Sequence, residues 1–157
     1  MKTPALFYKI NKYSVTTSDY ILWSHHSLEK GIYSPSLSIL SSFSNGDNIF
    51  EVEVYFKRAM KELEIEEPCF AESARGYIGF LAEEIMKTDN HVHIFDLARE
   101  IFLIVATELN YPEDLMEWYK ISELIDRLQY DREAMDIVEE DVLFIIMEEA
   151  KRSSGYL

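Results

Sequence analysis

His91-x-His93, with Asp89 and Asp96 beside it, is the one run in this 157-residue chain whose residue types suit a metal ion. On a helix, His93 and Asp96 lie three apart and share a face, whereas His91 does not join them. The chain holds four histidines; neither H-E-x-x-H nor the E-x-x-H pair of di-iron bundles occurs. The other two, His25 and His26, are adjacent, so on a helix they point about 100° apart and do not chelate one ion together. The plainer reading of the 89–96 run is a helix start decorated with polar residues, and no metal or cofactor is expected. Carboxylate pairs recur at Glu66-Glu67, Glu83-Glu84, Glu139-Glu140-Asp141 and Glu148-Glu149. General acid–base work needs two such groups in a pocket that pushes their pKa values apart. Repetition along helices points instead to solvated faces. Nucleophile chemistry has no G-x-S-x-G elbow, and the serines of 34–44 read as caps and turns. Gly76-Tyr77-Ile78-Gly79 lacks the Lys-Ser/Thr of a phosphate loop. The expectation is therefore a protein without catalytic residues.

The elements that carry these residues read as helices. Only five glycines and four prolines occur, and most fall between periodic segments. Residues 1–15 show no apolar face and read as an extended arm. Thr17 or Ser18 caps a helix to about Lys30, ended by Gly31. Ser34-Pro35 opens a short helix. Asn48 with Glu51 matches a variant capping box before Val52, Phe56, Ala59 and Leu63 at helical spacing. A strand over 51–56 is the rival there, and the longer pattern favours helix. Pro68 separates that helix from one over 70–87, where Gly76 and Gly79 could admit a close neighbour. Cys69, the only cysteine, reads as a small buried hydrophobe. Residues 92–109 are apolar nearly all round, as a buried central helix requires. Tyr111-Pro112 opens a short helix, Ser122 caps another, and Asp131 caps a last one over about 132–152. The expectation is an all-α single domain over 1–157, a bundle of seven or eight helices.

Charge is the other signal. The formal net charge is −14, from 29 acids and 15 bases. Residues 1–50 are near neutral, but residues 108–149 carry fourteen acids against Lys120, Arg127 and Arg132. Such a field draws cationic partners and repels nucleic acid and anionic membrane. No run approaches the roughly 20 apolar residues of a membrane span, and neither a signal peptide nor an even cysteine set is present. A cytoplasmic location is expected. Two readings of the acid stay open: a solvated exterior, or a face for a basic protein. The second assigns partner contacts to Glu113, Asp114, Glu117, Trp118, Tyr119, Glu133, Asp136, Glu139, Glu140 and Asp141, aromatics ringed by acid as in interface hot spots.

Several runs carry a resemblance: Trp23 followed by Ser34-Pro35-Ser36-Leu37-Ser38-Ile39-Leu40, then Asn48–Phe56 with its Phe-Glu-Val-Glu core, Lys61-Glu62-Leu63, and Pro112-Glu113-Asp114-Leu115 leading to Trp118-Tyr119. Over about residues 20–130 the chain resembles the helical immunity proteins of bacterial contact-dependent growth inhibition and related polymorphic toxin systems. The resemblance implies a chain that binds a cognate toxin domain, often a basic nuclease, and covers its active site. It transfers no contact residue by position, so the assignments above rest on charge and aromatic placement. The alternatives are a helical adaptor that binds a protein without inhibiting it, and a metal-dependent enzyme built on His91, His93 and Asp96. Self-association is left open.

Overall fold

Pro4 sets the first turn of a helix where the sequence predicts an extended arm. The computed structural model describes residues 1–130 and 137–155. Within them lie eight α-helices and no strand: α1 (Thr3–Asn11), α2 (Thr17–Glu29), α3 (Pro35–Leu40), α4 (Ile49–Glu62), α5 (Phe70–Ile85), α6 (His91–Thr107), α7 (Met116–Tyr130) and α8 (Glu139–Ser154), with a 3₁₀ turn at Glu113–Leu115 before α7. The all-α expectation and its helix count hold among the described residues. The arm does not: Ala5, Leu6, Phe7 and Tyr8 of α1 are all buried. Four successive buried residues cover the helix all round, so it has no one-sided stripe for the sequence to display.

The chain divides into two compact units, Met1–Gly76 and Tyr77–Leu157, with the boundary inside α5. In the first unit Phe56 of α4 is the meeting point of an aromatic cluster. Its ring lies 4.9 Å from Tyr20, 5.0 Å edge-on from Trp23 and 5.9 Å from Phe7. Leu6, Leu37, Leu40, Val52, Ala59 and Met60 complete this core. Val52, Phe56 and Ala59 point inward at helical spacing while Val54 is 46% exposed, which disposes of the strand alternative. Trp23 Nε1–H donates to Thr3 Oγ1 at 3.0 Å and so ties α2 to α1. A second tie is ionic. Lys9 Nζ lies 2.7 Å from Oδ1 of buried Asp19, whose Oδ2 accepts the Thr16 N–H at 2.8 Å. Thr16, one residue earlier than predicted, is thus the N-cap of α2 in a reciprocal capping box.

Local chemistry accounts for most boundaries. Ser34 Oγ accepts from Leu37 N–H, with Pro35 in the first turn of α3, as expected. Asn48 caps α4 by accepting from Phe50 at 3.0 Å, so the predicted pairing with Glu51 is replaced by a shorter one. Three helices end in the same way. The second residue past the last full turn bonds back five positions, Ser14 to Lys9, Ile32 to Ser27 and Ile65 to Met60. The left-handed residue before it is Gly31 in one case, but Tyr13 and Glu64 in the others. Cys69 is exposed, not buried. It stands at the start of α5, where its N–H donates to Glu72 and its carbonyl accepts from Ser73 N–H, and this backbone role leaves the thiol outward.

In the second unit α6 packs on α7 and α8. It buries Ile94, Phe95, Leu97, Ala98, Ile101, Ile104 and Val105, while Val92 and Leu103 face outward. Ser122 caps nothing: α7 runs unbroken from Met116, and Ser122 is buried in its middle. The last helix begins at Glu139, later than the predicted start near 132. Val138 precedes it without a side-chain cap, and three acids in the first turn suit the helix dipole. Asp131 and Met135, assigned to this helix from sequence, lie outside the described residues.

Two stability outcomes follow. A Cβ at Gly76 of α5 would sit 2.5 Å from Pro4 Cβ and 3.1 Å from the Ala5 nitrogen. Ala in a helix gains roughly 0.5–1 kcal/mol over Gly, whereas forcing atoms into a packed contact costs about 1–3 kcal/mol. Gly76→Ala is therefore expected to destabilise by about 1 kcal/mol or more in urea unfolding; a gain would show that α1 yields freely. The Glu62 carboxylate accepts from Ser36 Oγ at 2.6 Å and Ser36 N–H at 3.0 Å, which holds its pKa below the ordinary carboxylate value. A lowered folded-state value stabilises above the unfolded value and is lost as pH falls through the folded one. Urea midpoints of Ser36→Ala and the parent chain should converge in acid and diverge above the ordinary Glu range.

Candidate functional site

The predicted contact residues separate by burial. Trp118 does not face solvent: it is wholly buried, and its Nε1–H donates to Ser153 Oγ on α8 at 3.0 Å. Ser153 in turn donates to Glu149 Oε1 at 3.3 Å. Glu149 is itself buried and takes the Arg152 guanidinium on both oxygens, with Nε at 2.8 Å. A second Arg152 nitrogen reaches the Asp114 carbonyl at 2.9 Å. This chain of hydrogen bonds makes Trp118 the anchor of α8. The sequence took it for a surface aromatic because acids surround it; at helical spacing it falls with Ile121 and Ile125 on the buried face of α7.

Tyr119 is half-buried between Phe102 at 6.0 Å and Tyr111 at 6.3 Å. Its hydroxyl donates to Glu123 at 2.8 Å, and that bond with the carboxylate charge pushes the phenol pKa up. Glu113 and Asp114 are exposed on the 3₁₀ turn, and Glu117 pairs with Lys120 at 2.8 Å. Glu139 meets His91 Nδ1 at 2.7 Å, joining the starts of α8 and α6. Glu140 and Asp141 are exposed on the first turn of α8. Glu133 and Asp136 lie outside the described residues.

One side chain missing from the sequence assignment completes this face. Phe144 is 67% exposed. Glu140 lies four residues before it, Asp141 three before and Glu148 four after, and all three are exposed. Residues three and four apart on a helix are neighbours on one face. The signal was present in the sequence. Val142, Ile146 and Ala150 form the buried stripe of α8, and Phe144 stands about 200° from Val142 at 3.6 residues per turn. An aromatic flanked by carboxylates therefore does exist, on α8 and not at Trp118.

Part of the acid is neutralised locally. Glu117–Lys120, Glu148–Lys151 and Glu149–Arg152 are pairs within one helix, and Arg99 joins Asp126 at 2.9 Å and Gln129 at 2.8 Å across α6 and α7. The exposed pairs among these, Glu117–Lys120 and Glu148–Lys151, contribute roughly 0–1 kcal/mol each. A depression of about 620 Å³ takes its lining, among the described residues, from α7 alone: Glu117, Lys120, Glu123, Leu124, Asp126 and Arg127. One helix face with both signs of charge makes a shallow groove, not a substrate pocket. Among the described residues no three His, Cys, Asp or Glu side chains are grouped to hold a metal. His91 is engaged by Glu139, and only the His93 backbone is held, by Asn90. No described helix is long and apolar enough to cross a membrane. No protein-family model matches the chain, and neither a curated protein nor a solved structure is significantly similar to it.

Trp118→Phe keeps an aromatic ring at the site but removes part of its volume and the N–H that holds Ser153. The expected cost is about 1–3 kcal/mol in urea unfolding, from the lost hydrogen bond and the space left behind. An unchanged midpoint would remove Trp118 from the role of anchor.

Proposed function

We propose that this chain is a cytoplasmic immunity protein. It binds a cationic toxin domain through the outward face of α8 and neutralises it by covering its substrate cleft. The observation that carries the binding part is the exposed Phe144 among Glu140, Asp141 and Glu148. The ring supplies apolar area for an anchor contact, and the carboxylates supply the field that steers a basic surface and raises its on-rate. A net charge of −14 extends that field beyond the contact itself. A nuclease cleft, lined with cations to hold phosphates, is the complementary surface. An interface of roughly 1,600 Å² would close such a cleft. The resemblance of residues 20–130 to immunity proteins supports the inhibitory part of the reading. The same acidic face suits an adaptor that binds a basic protein and leaves it active, so growth is the deciding readout.

The chain, used as bait at low ionic strength, is expected to retain the product of an adjacent open reading frame and release it as salt rises. Co-expression should restore growth to cells producing that protein. Phe144→Ala with Glu140→Gln is expected to weaken the complex at least roughly tenfold, as loss of a central aromatic contact does. Binding without growth rescue would replace the immunity reading with the adaptor. Undiminished binding by the double variant would make this face of α8 exterior only.

A further inference from the structure

The first unit holds a cleft whose chemistry is opposite to that of the chain as a whole. Its volume is about 190 Å³, and its walls include Lys2 and Thr3 at the start of α1 with Trp23, His26, Ser27 and Lys30 of the α2 end. That is far more than one water requires. The imidazole of His26 has its Nε2 enclosed without a hydrogen-bond partner among the described residues. Its neighbour His25 is placed differently, with Nε2 3.1 Å from the Ser41 carbonyl, as the 100° step between adjacent helical residues requires. Thr3 Oγ1 accepts the Trp23 N–H and so keeps its own proton to give. Ser27 Oγ–H is spent on the Trp23 carbonyl.

We infer that this cleft is a binding site for a small oxyanion, held by the ammonium group of Lys30 and by the Thr3 hydroxyl, with the His26 ring as its wall. Two arrangements favour an anion here. The start of α1 has no side-chain cap, so its first N–H groups add positive potential. Burial, then the positive charge of the N-terminal amine, of Lys30 and of Lys2, lowers the His26 pKa, with Glu29 as the weaker opposing influence. The end of α2 opposes an anion through its dipole, but the Lys30, Gly31 and Ile32 N–H groups already occupy carbonyls of its last turn. The site is separate from the acidic face of α8 in sequence and in sign.

The test is the imidazole carbon–proton spectrum of the whole chain, titrated with inorganic phosphate or with acetate at constant ionic strength set by chloride. The site predicts a saturable shift of the His26 ring signals with His25 unmoved, and a His26 pKa that rises as the anion fills the cleft. Lys30→Gln, on an exposed residue, should weaken that saturation roughly two- to fivefold, the size of a partly screened charge contact. Saturation by phosphate alone assigns a phosphate-like ligand, and saturation by acetate as well assigns oxyanions in general. If neither anion moves His26 beyond the chloride control, or Lys30→Gln leaves the titration unaltered, the inference is overturned.

Discussion

An indole cannot be buried without an acceptor for its N–H, and both units meet this constraint in the same way. Trp23 gives its proton to Thr3, twenty residues away, and Trp118 gives its proton to Ser153, thirty-five residues away. In each case the acceptor is a hydroxyl on a terminal helix of the unit. Leaving such a donor unanswered in the interior costs about 1–3 kcal/mol, against total stabilities of only about 5–15. The hydroxyls therefore fix α1 and α8 in register as well as in place. The rest of each core follows from that register. Phe56 packs among Phe7, Tyr20 and Trp23 in the first unit, and Val142, Ile146 and Ala150 turn inward in the second.

Fixing α8 in this way also decides what it shows to water. Ser153 faces Trp118, and Glu149, four residues earlier on the same side, is carried into the interior with it. A buried carboxylate is tolerated only when its charge and lone pairs are answered. Arg152 and Ser153 answer them, and Arg152 extends the network to the Asp114 carbonyl. With Val142, Ile146, Glu149 and Ser153 committed inward, Glu140, Phe144 and Glu148 are left on the outside. The acidic face is thus a consequence of the tryptophan anchor and not an independent surface laid over the bundle.

What was legible in the sequence was local chemistry. Ser34-Pro35, Gly31 and Asn48 mark helix ends because each carries its own stereochemical or hydrogen-bonding reason. Less visible were features settled by packing. Helix α1 is covered on all sides, so its pattern has no stripe. Tyr13 and Glu64 take the left-handed position that glycine usually marks, so two helix ends bore no flag. Cys69 is outward because its backbone starts α5, whatever the habit of free cysteines. The exposed aromatic is an exchange of Trp118, which the sequence assigns to the surface, for Phe144, which it assigns nowhere, and the reason is single. Acidic neighbours in sequence suggested exposure, while helical angle decided it.

That exchange bears on the acid excess itself. A single exposed apolar side chain is ordinary on a protein surface, and surface acid is ordinary too. Their combination on α8 is less so. Solubility alone would be served by any polar residue at 144, since the position lies opposite the buried stripe and no core packing asks for a phenyl ring. Between exposed charges, screening sets in within about 8 Å at physiological salt, so the attraction of Glu140, Asp141 and Glu148 for a cationic surface is strongest close to the face and weakens as salt rises. In the complex proposed above, the ring would supply the apolar contact and the carboxylates the charge complement of one interface. Lys151, paired with Glu148 at 2.6 Å, offsets the charge at the C-terminal side of that face, so its uncompensated acid lies toward Glu140 and Asp141, and the proposed complex would centre on that side of Phe144.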